Sequence, residues 1–139
     1  MTEPFVILEH AADIGFRAFG QSLPELFVNA ALALESIAME TAAVQPRFDY
    51  PVSAEGEDRE SLLINWLNEI VYYIDGRRVA MCRFEIFELS ATSVRGKGWG
   101  EPRDRDRHPA RIVVKAATYH QLRIQEEDGR WTAEVFLDI

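Results

Sequence analysis

Two side chains that could do chemistry lie close together near the N-terminus, in the stretch ILEHAADIGFRAFG at residues 7–20. His10 could donate or accept a proton, and Asp13 could bind a cation or simply form a turn before Gly15. Aromatic and branched residues on both sides favour two short strands, PFVILEH and GFRAFGQ, joined by a turn region at residues 13–15. The pattern predicts that His10 and Asp13 lie at a strand end, and it leaves open whether they are structural or functional.

Another acid lies near the C-terminus, in a segment that predicts its own pairing. The Asp-Gly dipeptide at residues 128–129 is typical of a two-residue hairpin turn, because both positions favour positive φ. The turn sets four pairs: Glu127 with Arg130, Ile124 with Ala133, Leu122 with Val135, and Arg123 with Glu134. Continuing that register places Tyr119 opposite Asp138 and His120 opposite Leu137. Asp138 is thus expected within the end of a sheet, where its carboxylate needs a partner.

The composition limits the classes of protein and partner. A chain of 139 residues with 47% hydrophobic residues is ordinary for one compact domain, so we expect a single domain over residues 1–139. Since 23 acidic residues outnumber 15 basic ones, the net charge of -8 disfavours nucleic-acid binding over the whole surface. Any RNA contact is expected to be weak or indirect, through a local basic patch or a protein partner.

The single cysteine and the lack of a long apolar stretch bear on location. Cys82 stands alone in an apolar setting, so we expect no internal disulfide and a reducing, cytoplasmic location. No stretch has the pattern of a signal peptide or the length needed to cross a bilayer. The sequence therefore predicts a soluble protein with no membrane partner.

Two segments have the pattern of amphipathic helices. In SLPELFVNAALALESIA, Ser22 and Glu25 have the spacing of a capping box, which predicts a helix over residues 23–38. In EDRESLLINWLNEIVYYIDG, apolar residues recur at helical spacing over residues 59–75, and Gly76 is expected to end the helix in a left-handed conformation. Both helices should pack their apolar stripes against a core.

The rest of the chain is predicted to be mostly sheet. Two prolines in QPRFDYPVSAEGED favour an edge strand or an extended connection. Alternating residues follow in CRFEIFELSATSVRGKGWG, then a loop rich in Pro, Gly, Arg and Asp, and then three strands in RIVVKAATYHQLRIQEEDGRWTAEVFLDI. The predicted fold class is α+β, with two main helices packed on one mostly antiparallel sheet.

Other charged and polar residues are candidates for partner contact. Lys115, in IVVKAATYH, must reach solvent or an acid, because burying an unpaired ammonium is costly. The stretch at residues 95–111 has six basic residues against three acids and includes Trp99. It is either a solvated, mobile loop or a surface for RNA or a partner protein. Asn65 and Asn68 on the second helix are interpreted as an ordinary polar face.

Taken together, the motifs resemble the archease family over nearly the whole chain. They are LEHAADIGFRAFG, LPELFVNAALAL, LLINWLNEIVYYID, RIVVKAATYHQLRI and the final VFLDI. The resemblance implies an archease-type fold and a protein that is not itself an enzyme. It implies an activator of the GTP-dependent RNA ligase used in tRNA splicing and RNA repair, which promotes guanylylation of the ligase's active-site histidine and repeated turnover.

The resemblance also implies a metal site. A divalent cation would be held by Asp13 together with Asp138 and Ile139 at the end of the chain. These carboxylates are hard oxygen ligands that suit Ca²⁺, Mg²⁺ or Mn²⁺ better than Zn²⁺. No catalytic residue and no organic cofactor is expected. Three further residues are candidates for support or partner contact: His10, Lys115 and His120.

Two other classes of function stay open from the residues alone. A metal-dependent hydrolase would act by itself, but no nucleophile and base are spaced convincingly in the sequence. A chaperone-like binding protein would suppress aggregation without a metal, and the sequence does not separate it from a ligase activator.

Overall fold

The structure is a computed structural model that describes residues 3–10 and 13–139, with their side chains except those of His10 and Asp13. None of the described helices is long and apolar enough to cross a membrane. The elements are, in chain order, β1 (Phe5–His10), β2 (Asp13–Gly20), α1 (Leu23–Ala38), β3 (Phe48–Glu55), α2 (Arg59–Val71), a π-helical turn (Tyr72–Gly76), β4 (Val79–Leu89), β5 (Ser93–Pro102), β6 (Ala116–Ala117), β7 (Arg123–Glu127) and β8 (Arg130–Asp138).

The first helix begins and ends where the sequence predicts. Ser22 caps α1, and its Oγ accepts a hydrogen bond from the Glu25 N–H at 3.3 Å. Burying one Leu or Phe side chain on the apolar stripe contributes roughly 1.5–3 kcal/mol to stability. The stripe is fully buried at Leu26, Phe27, Ala30, Ala31 and Leu34.

The second helix covers the predicted segment but ends differently. Asp58 and Ser61 form a reciprocal capping box, in which the Ser61 N–H lies 2.8 Å from Asp58 Oδ1. After α2 and the π-helical turn, the residue with positive φ is Arg78 at 57°, so the left-handed stop predicted at Gly76 is wrong. A Cβ at Gly76 would lie 2.9 Å from the Tyr72 ring, so a larger residue there would require that exposed ring to move.

The strands form two antiparallel sheets, where the sequence predicts one. In the five-stranded sheet the order is β1-β2-β8, with β6 and β7 both on the far side of β8; the other sheet has the order β3-β5-β4. β3 contains Pro51 and lies at an edge, as predicted. The helices join the sheets into one core, since α1 packs on β2 and β4 while α2 packs on β3 and β6. The prediction of a single sheet is therefore wrong, and the α+β class is confirmed.

Strand β5 occupies the first half of the segment predicted as a loop. Its glycines fall on alternate positions and face β4, where a Cβ at Gly100 would lie 1.8 Å from the Ala80 carbonyl oxygen. Glycine is therefore required by the close approach of two strands, and its abundance does not mark a loop here. Arg95, Lys97 and Trp99 alternate with these glycines, so their side chains project from the opposite face.

The C-terminal hairpin has the predicted register. β7 pairs with β8 so that Arg123 faces Glu134, Ile124 faces Ala133 and Glu127 faces Arg130. Asp128 and Gly129 both have positive φ, at 53° and 77°, as the two-residue turn requires. The charge and apolar pairing in the sequence is thus enough to fix this part of the sheet.

Beyond the hairpin the predicted register fails. Asp138 lies opposite Ala116 of β6, three residues before the predicted Tyr119. Tyr119 and His120 instead lie in a turn between β6 and β7, where Gln121 has a φ of 52°. The residues of this turn do not pair with β8, and the alternation of residue types in the sequence does not show where such pairing is interrupted.

Candidate cation site at the acidic end of the sheet

The backbone brings the predicted acids to one end of the five-stranded sheet. β1 and β2 pair up to His10 and Asp13, so both residues lie at a strand end as predicted. On the other side of β2, Ile14 pairs with Leu137 of β8. Asp13 and Asp138 each lie one residue beyond that pair, which makes them neighbours on adjacent strands. We call the acidic end the set Asp13, Asp138 and Ile139.

The turn region predicted at residues 13–15 is strand. All three residues belong to β2 and pair with β1. Gly15 lies opposite Phe136, and a Cβ there would lie 2.3 Å from the Val135 carbonyl oxygen. The glycine therefore permits close packing of β2 on β8, and it is not a turn residue.

The hydrophobic core fixes the position of the acidic end. Ile14 and Phe16 of β2 face Leu137 and Val135 of β8, and all four side chains are buried. A shift of one residue would move this apolar set to the solvent face, so the register is strongly specified. Asp138 follows Leu137 and lies on the opposite face, where it is exposed.

The carboxylate of Asp138 is open to a binding partner. The Asp138 carbonyl oxygen accepts a hydrogen bond from the Lys115 N–H at 2.7 Å, which holds the end of the strand. No side chain that the structure describes hydrogen-bonds or ion-pairs with the Asp138 carboxylate. Ile139 beside it is 48% exposed.

The donors available here fit a hard cation. They are carboxylate oxygens, which hard cations prefer. The sulfur ligand that a softer metal would favour is not nearby, because Cys82 lies on β4 of the other sheet. Among the side chains described, no three His, Cys, Asp or Glu residues cluster in a way that could hold a metal. The side chains of His10 and Asp13 lie outside the described part, so the predicted ligand set and the supporting role of His10 stay predictions.

His120 lies near the acidic end, but it does so from a turn and not through the predicted pairing with Leu137. Thr118 anchors the turn, because its N–H and Oγ both donate to the Phe136 carbonyl oxygen, at 3.1 and 2.9 Å. The His120 ring then packs edge-on against the Phe136 ring, with centroids 6.2 Å apart. Phe136 is two residues before Asp138 on the same face of β8, so His120 lies beside this face. Tyr119 in the same turn is 58% exposed.

Lys115 is exposed, as its chemistry requires, but it lies just before β6 and not inside a strand. It borders a shallow groove with the end of α2, where Tyr72 is 58% exposed. Its backbone hydrogen bond to Asp138 therefore connects this groove with the acidic end.

Asn68 has a role that the sequence interpretation missed. Its Oδ1 accepts from the Ala117 N–H at 2.8 Å, and its Nδ2 donates to the Ala117 carbonyl oxygen at 3.4 Å. This pair of bonds docks α2 on β6, the strand that pairs with Asp138. Helical spacing shows only that Asn68 is off the apolar stripe, and it does not show that a strand faces it.

The basic segment, residues 103–111, is held by internal contacts. Arg111 binds Glu40 at 2.6 Å and the Ser36 carbonyl oxygen at 2.9 Å. Arg103 donates to the Ile74 carbonyl oxygen at 3.3 Å. The segment is therefore anchored to α1 and the π-helical turn.

Glu101 is the main anchor of the basic segment. Its side chain is only 1% exposed and binds Arg107, the Gln45 N–H at 2.9 Å and His108 Nε2 at 3.0 Å. Burial opposes ionisation, but these hydrogen bonds and the charge of Arg107 hold the pKa of Glu101 at about 2. His108 Nδ1 accepts from the Asp104 N–H at 2.9 Å, so Nε2 carries the proton that is donated to Glu101.

His108 is fully enclosed, at 1% exposure, and the sequence interpretation did not single it out. Its only signal in the sequence is a histidine among Arg, Asp and Pro residues, a context that is typical of an exposed loop. Several cations of the segment thus meet internal acceptors, which leaves less positive charge for RNA than the sequence suggests.

A cleft of about 750 Å³ lies at the opposite end of β2 from the acidic end. It is formed by the starts of both helices and the turn between β4 and β5. Its lining includes the apolar side chains of Leu23, Leu62 and Leu89 and the acids Glu57 and Glu60. The cleft contains none of the predicted site residues.

Similarity to known proteins extends over nearly the whole chain. The model of the Archease protein family (MTH1598/TM1083) matches residues 5–139. The protein named Protein archease from Methanopyrus kandleri is 40% identical over 139 residues, covering 98% of this chain and 99% of the relative. The protein of the same name from Sulfurisphaera tokodaii is 35% identical and covers 99% of each chain.

Solved structures agree on the fold. The solution structure of Methanobacterium thermoautotrophicum protein 1598 is 33% identical, with a TM-score of 0.81 over 98% of this chain and 99% of that one. The crystal structure of an archease from Thermotoga maritima, described as a possible chaperone, is 21% identical, with a TM-score of 0.58 over 100% and 98% of the two chains. The second likeness concerns the fold alone.

Proposed function

Because this chain belongs to the archease family, we propose that it activates a GTP-dependent RNA ligase in tRNA splicing and RNA repair, without joining RNA itself. The observation that supports this best is the exposed Asp138, placed next to Asp13 by a register that the buried core fixes. A group on a fixed backbone that has no partner among the described side chains is suited to act on another protein.

We also propose a divalent cation at the acidic end, held by Asp13, Asp138 and the carboxylate of Ile139. Three carboxylates this close repel one another unless a cation neutralises them. Bound Ca²⁺, Mg²⁺ or Mn²⁺ would supply positive charge and free coordination positions for oxygen atoms of the partner. His120 on the neighbouring turn, with His10 and Lys115, would support the site or contact the partner.

The charge of the chain favours action through a protein surface. With a net charge of -8, the chain repels an RNA backbone, and much of its basic segment is used internally. RNA contact is therefore weak or indirect, and the ligase is the main partner. Promotion of histidine guanylylation and of repeated turnover follows from contact with the ligase at the acidic end. We place this activity in the cytoplasm, where Cys82 stays a free thiol.

The cleft at the helix starts supports a second candidate, a chaperone-like binding protein. With a volume of about 750 Å³ and apolar lining residues, the cleft could accept an apolar segment of another chain. Such binding would need neither a nucleotide nor a metal. The metal-dependent hydrolase has no comparable support among the described residues.

The direct test measures transfer of labelled guanylate from GTP to the ligase from the same organism. Amounts of this protein below those of the ligase should raise the rate of guanylylation and the number of ligation turnovers, while the protein alone joins no RNA. A Leu62→Ser variant of the cleft should leave this activation intact if it stays folded. Suppression of ligase aggregation without any change in guanylylation would favour the chaperone-like function.

A further inference from the structure

Two arginines lie side by side where β4 begins and β5 ends. The Arg103 N–H donates to the Arg78 carbonyl oxygen at 2.8 Å, one step beyond the pair Val79 and Pro102. Like charges on facing strands destabilise a sheet. This chain, with its net charge of -8, nevertheless concentrates two permanent positive charges at one point.

The backbone conformation of Arg78 is a second unfavourable feature. Its φ of 57° is in the left-handed region, which favours glycine and disfavours residues with a Cβ. The residue follows the π-helical turn, a type of irregularity that is frequent at functional sites. An arginine in a position suited to glycine indicates that its side chain has a use.

Both arginines line a small cavity of about 190 Å³. The guanidinium of Arg103 is oriented by its hydrogen bond to the Ile74 carbonyl oxygen. The cavity is below the range of roughly 300–1,000 Å³ that is typical of drug-sized ligands, so it suits a small charged group. The rest of its wall is mostly apolar: Ala38, Ile74, Ala110, Ile112, Val113 and Val114, together with Asp75.

The local charge is positive at neutral pH. Asp75 is the acid that lines the cavity, and Glu35 lies close enough to Arg103 to interact with it. Burial raises the pKa of Glu35 to about 8, so this carboxyl is mostly neutral. Burial and, after it, the charge of Arg78 lower the pKa of Arg103, while Glu35 and Asp75 act in the opposite direction.

We propose that Arg78 and Arg103 form a binding site for a phosphate monoester group, carried by a nucleotide or by the end of an RNA. Two guanidinium groups in a concave, partly apolar site are suited to a doubly charged phosphate. The site is separate from the acidic end, although residues 113–114 line it and Lys115 bonds to Asp138. The inference does not rest on the proposed activation of a ligase.

Calorimetric titrations at constant ionic strength test the site, with inorganic phosphate, guanosine monophosphate, and a short RNA with and without a terminal phosphate. The wild type should bind phosphate saturably, and phosphorylated RNA more tightly than unphosphorylated RNA. Arg78→Gly should keep or raise Tm, because glycine suits a φ of 57°, yet weaken phosphate binding about tenfold or more. Equal affinity for inorganic phosphate and both phosphorylated ligands would assign the site to the free ion.

Two matched variants keep the test specific. Arg77→Gln removes the adjacent arginine, whose guanidinium lies 4.7 Å from the centre of the Tyr73 ring, and should leave binding unchanged. Asp75→Asn removes the competing acid and should tighten binding. The site is disproved if the wild type shows no saturable binding, if Arg78→Gly binds as well as the wild type, or if Arg77→Gln loses as much.

Discussion

The basic segment and the acidic end carry opposite charges, and the fold treats them in opposite ways. In the basic segment Arg107 and His108 converge on the buried Glu101, and Arg111 binds Glu40. At the acidic end Asp138 is exposed, and the described side chains give its carboxylate no partner. A dense run of charges in a sequence can therefore form internal ion pairs, while a sparser group of acids can stay exposed and unpaired among the described side chains.

The difference has a physical origin. A buried charge is tolerated only when hydrogen bonds and opposite charges replace its hydration, so the basic segment is ordered by its own pairs. An exposed carboxylate keeps its hydration, so the folded state loses little free energy by leaving it unpaired. Internal pairing should make the basic segment important for stability, and the acidic end important for binding.

The largest expected effect is the loss of stability when Glu101, the anchor of the basic segment, is removed. Glu101→Ala leaves His108 and Arg107 without their acceptor and should lower the free energy of unfolding by about 3–5 kcal/mol. Urea unfolding measures the loss, and Glu127→Ala on the exposed hairpin is the matched control with almost no change. A loss below about 1 kcal/mol would show that the segment is not clamped by Glu101.

Glu35 is also a buried carboxyl, but it accepts fewer hydrogen bonds than Glu101. Its Oε1 accepts from the Met81 N–H at 3.2 Å, whereas Oε2 has no hydrogen-bond partner among the described residues. Burial raises its pKa from 4.5 to about 8, so the folded state keeps a proton that the unfolded state has lost. Its contribution to stability is complete below pH 4.5 and is lost as the pH rises through about 8.

Glu35→Gln should remove this dependence. At about pH 9 the variant should be more stable than the wild type by an amount on the order of 2 kcal/mol or more, since the amide never ionises. Unfolding curves across the pH range measure the difference, and Glu69→Gln on the exposed face of α2 is the control. If wild type and Glu35→Gln lose stability in parallel above neutral pH, Glu35 is not the group that titrates.

A smaller effect concerns the support of the acidic end. Asn68→Ala removes both hydrogen bonds to Ala117 and should cost about 1–3 kcal/mol, because Ala117 is buried and its backbone groups lose their partner. Asn65 also bonds to the backbone, at the Glu55 carbonyl oxygen, but it is exposed. Asn65→Ala should therefore cost less, and equal losses would argue against a special role for Asn68.

The sequence predicts those parts of the fold that depend on neighbours in the chain. The cap at Ser22 and the apolar stripe are local, and they predict α1 to the residue. The hairpin follows from the Asp-Gly turn and its facing pairs. Both elements depend on interactions between residues that are close together in the sequence.

The failures come from contacts between distant segments. The glycines of β5 suggest a loop in the sequence, and only the close approach of β4 explains them. The alternation of residue types also gives no sign of the turn after β6. At the site, the prediction that Asp138 lies inside the sheet end is correct, although its partner is Ala116 and not Tyr119. The nearness of Asp13 and Asp138 needs the pairing of β2 with β8, which only the family resemblance suggested.

We expect the acidic end to serve the partner and not the fold. The most direct measurement compares the stability and the ligase activation of Asp138→Ala with those of the wild type, with Glu127→Ala as the control. Asp138→Ala should change the free energy of unfolding by no more than about 0.5 kcal/mol and abolish activation, as should Asp13→Ala or a short C-terminal extension. Full activation by a correctly folded Asp138→Ala protein would show that Asp138 has no role in activation.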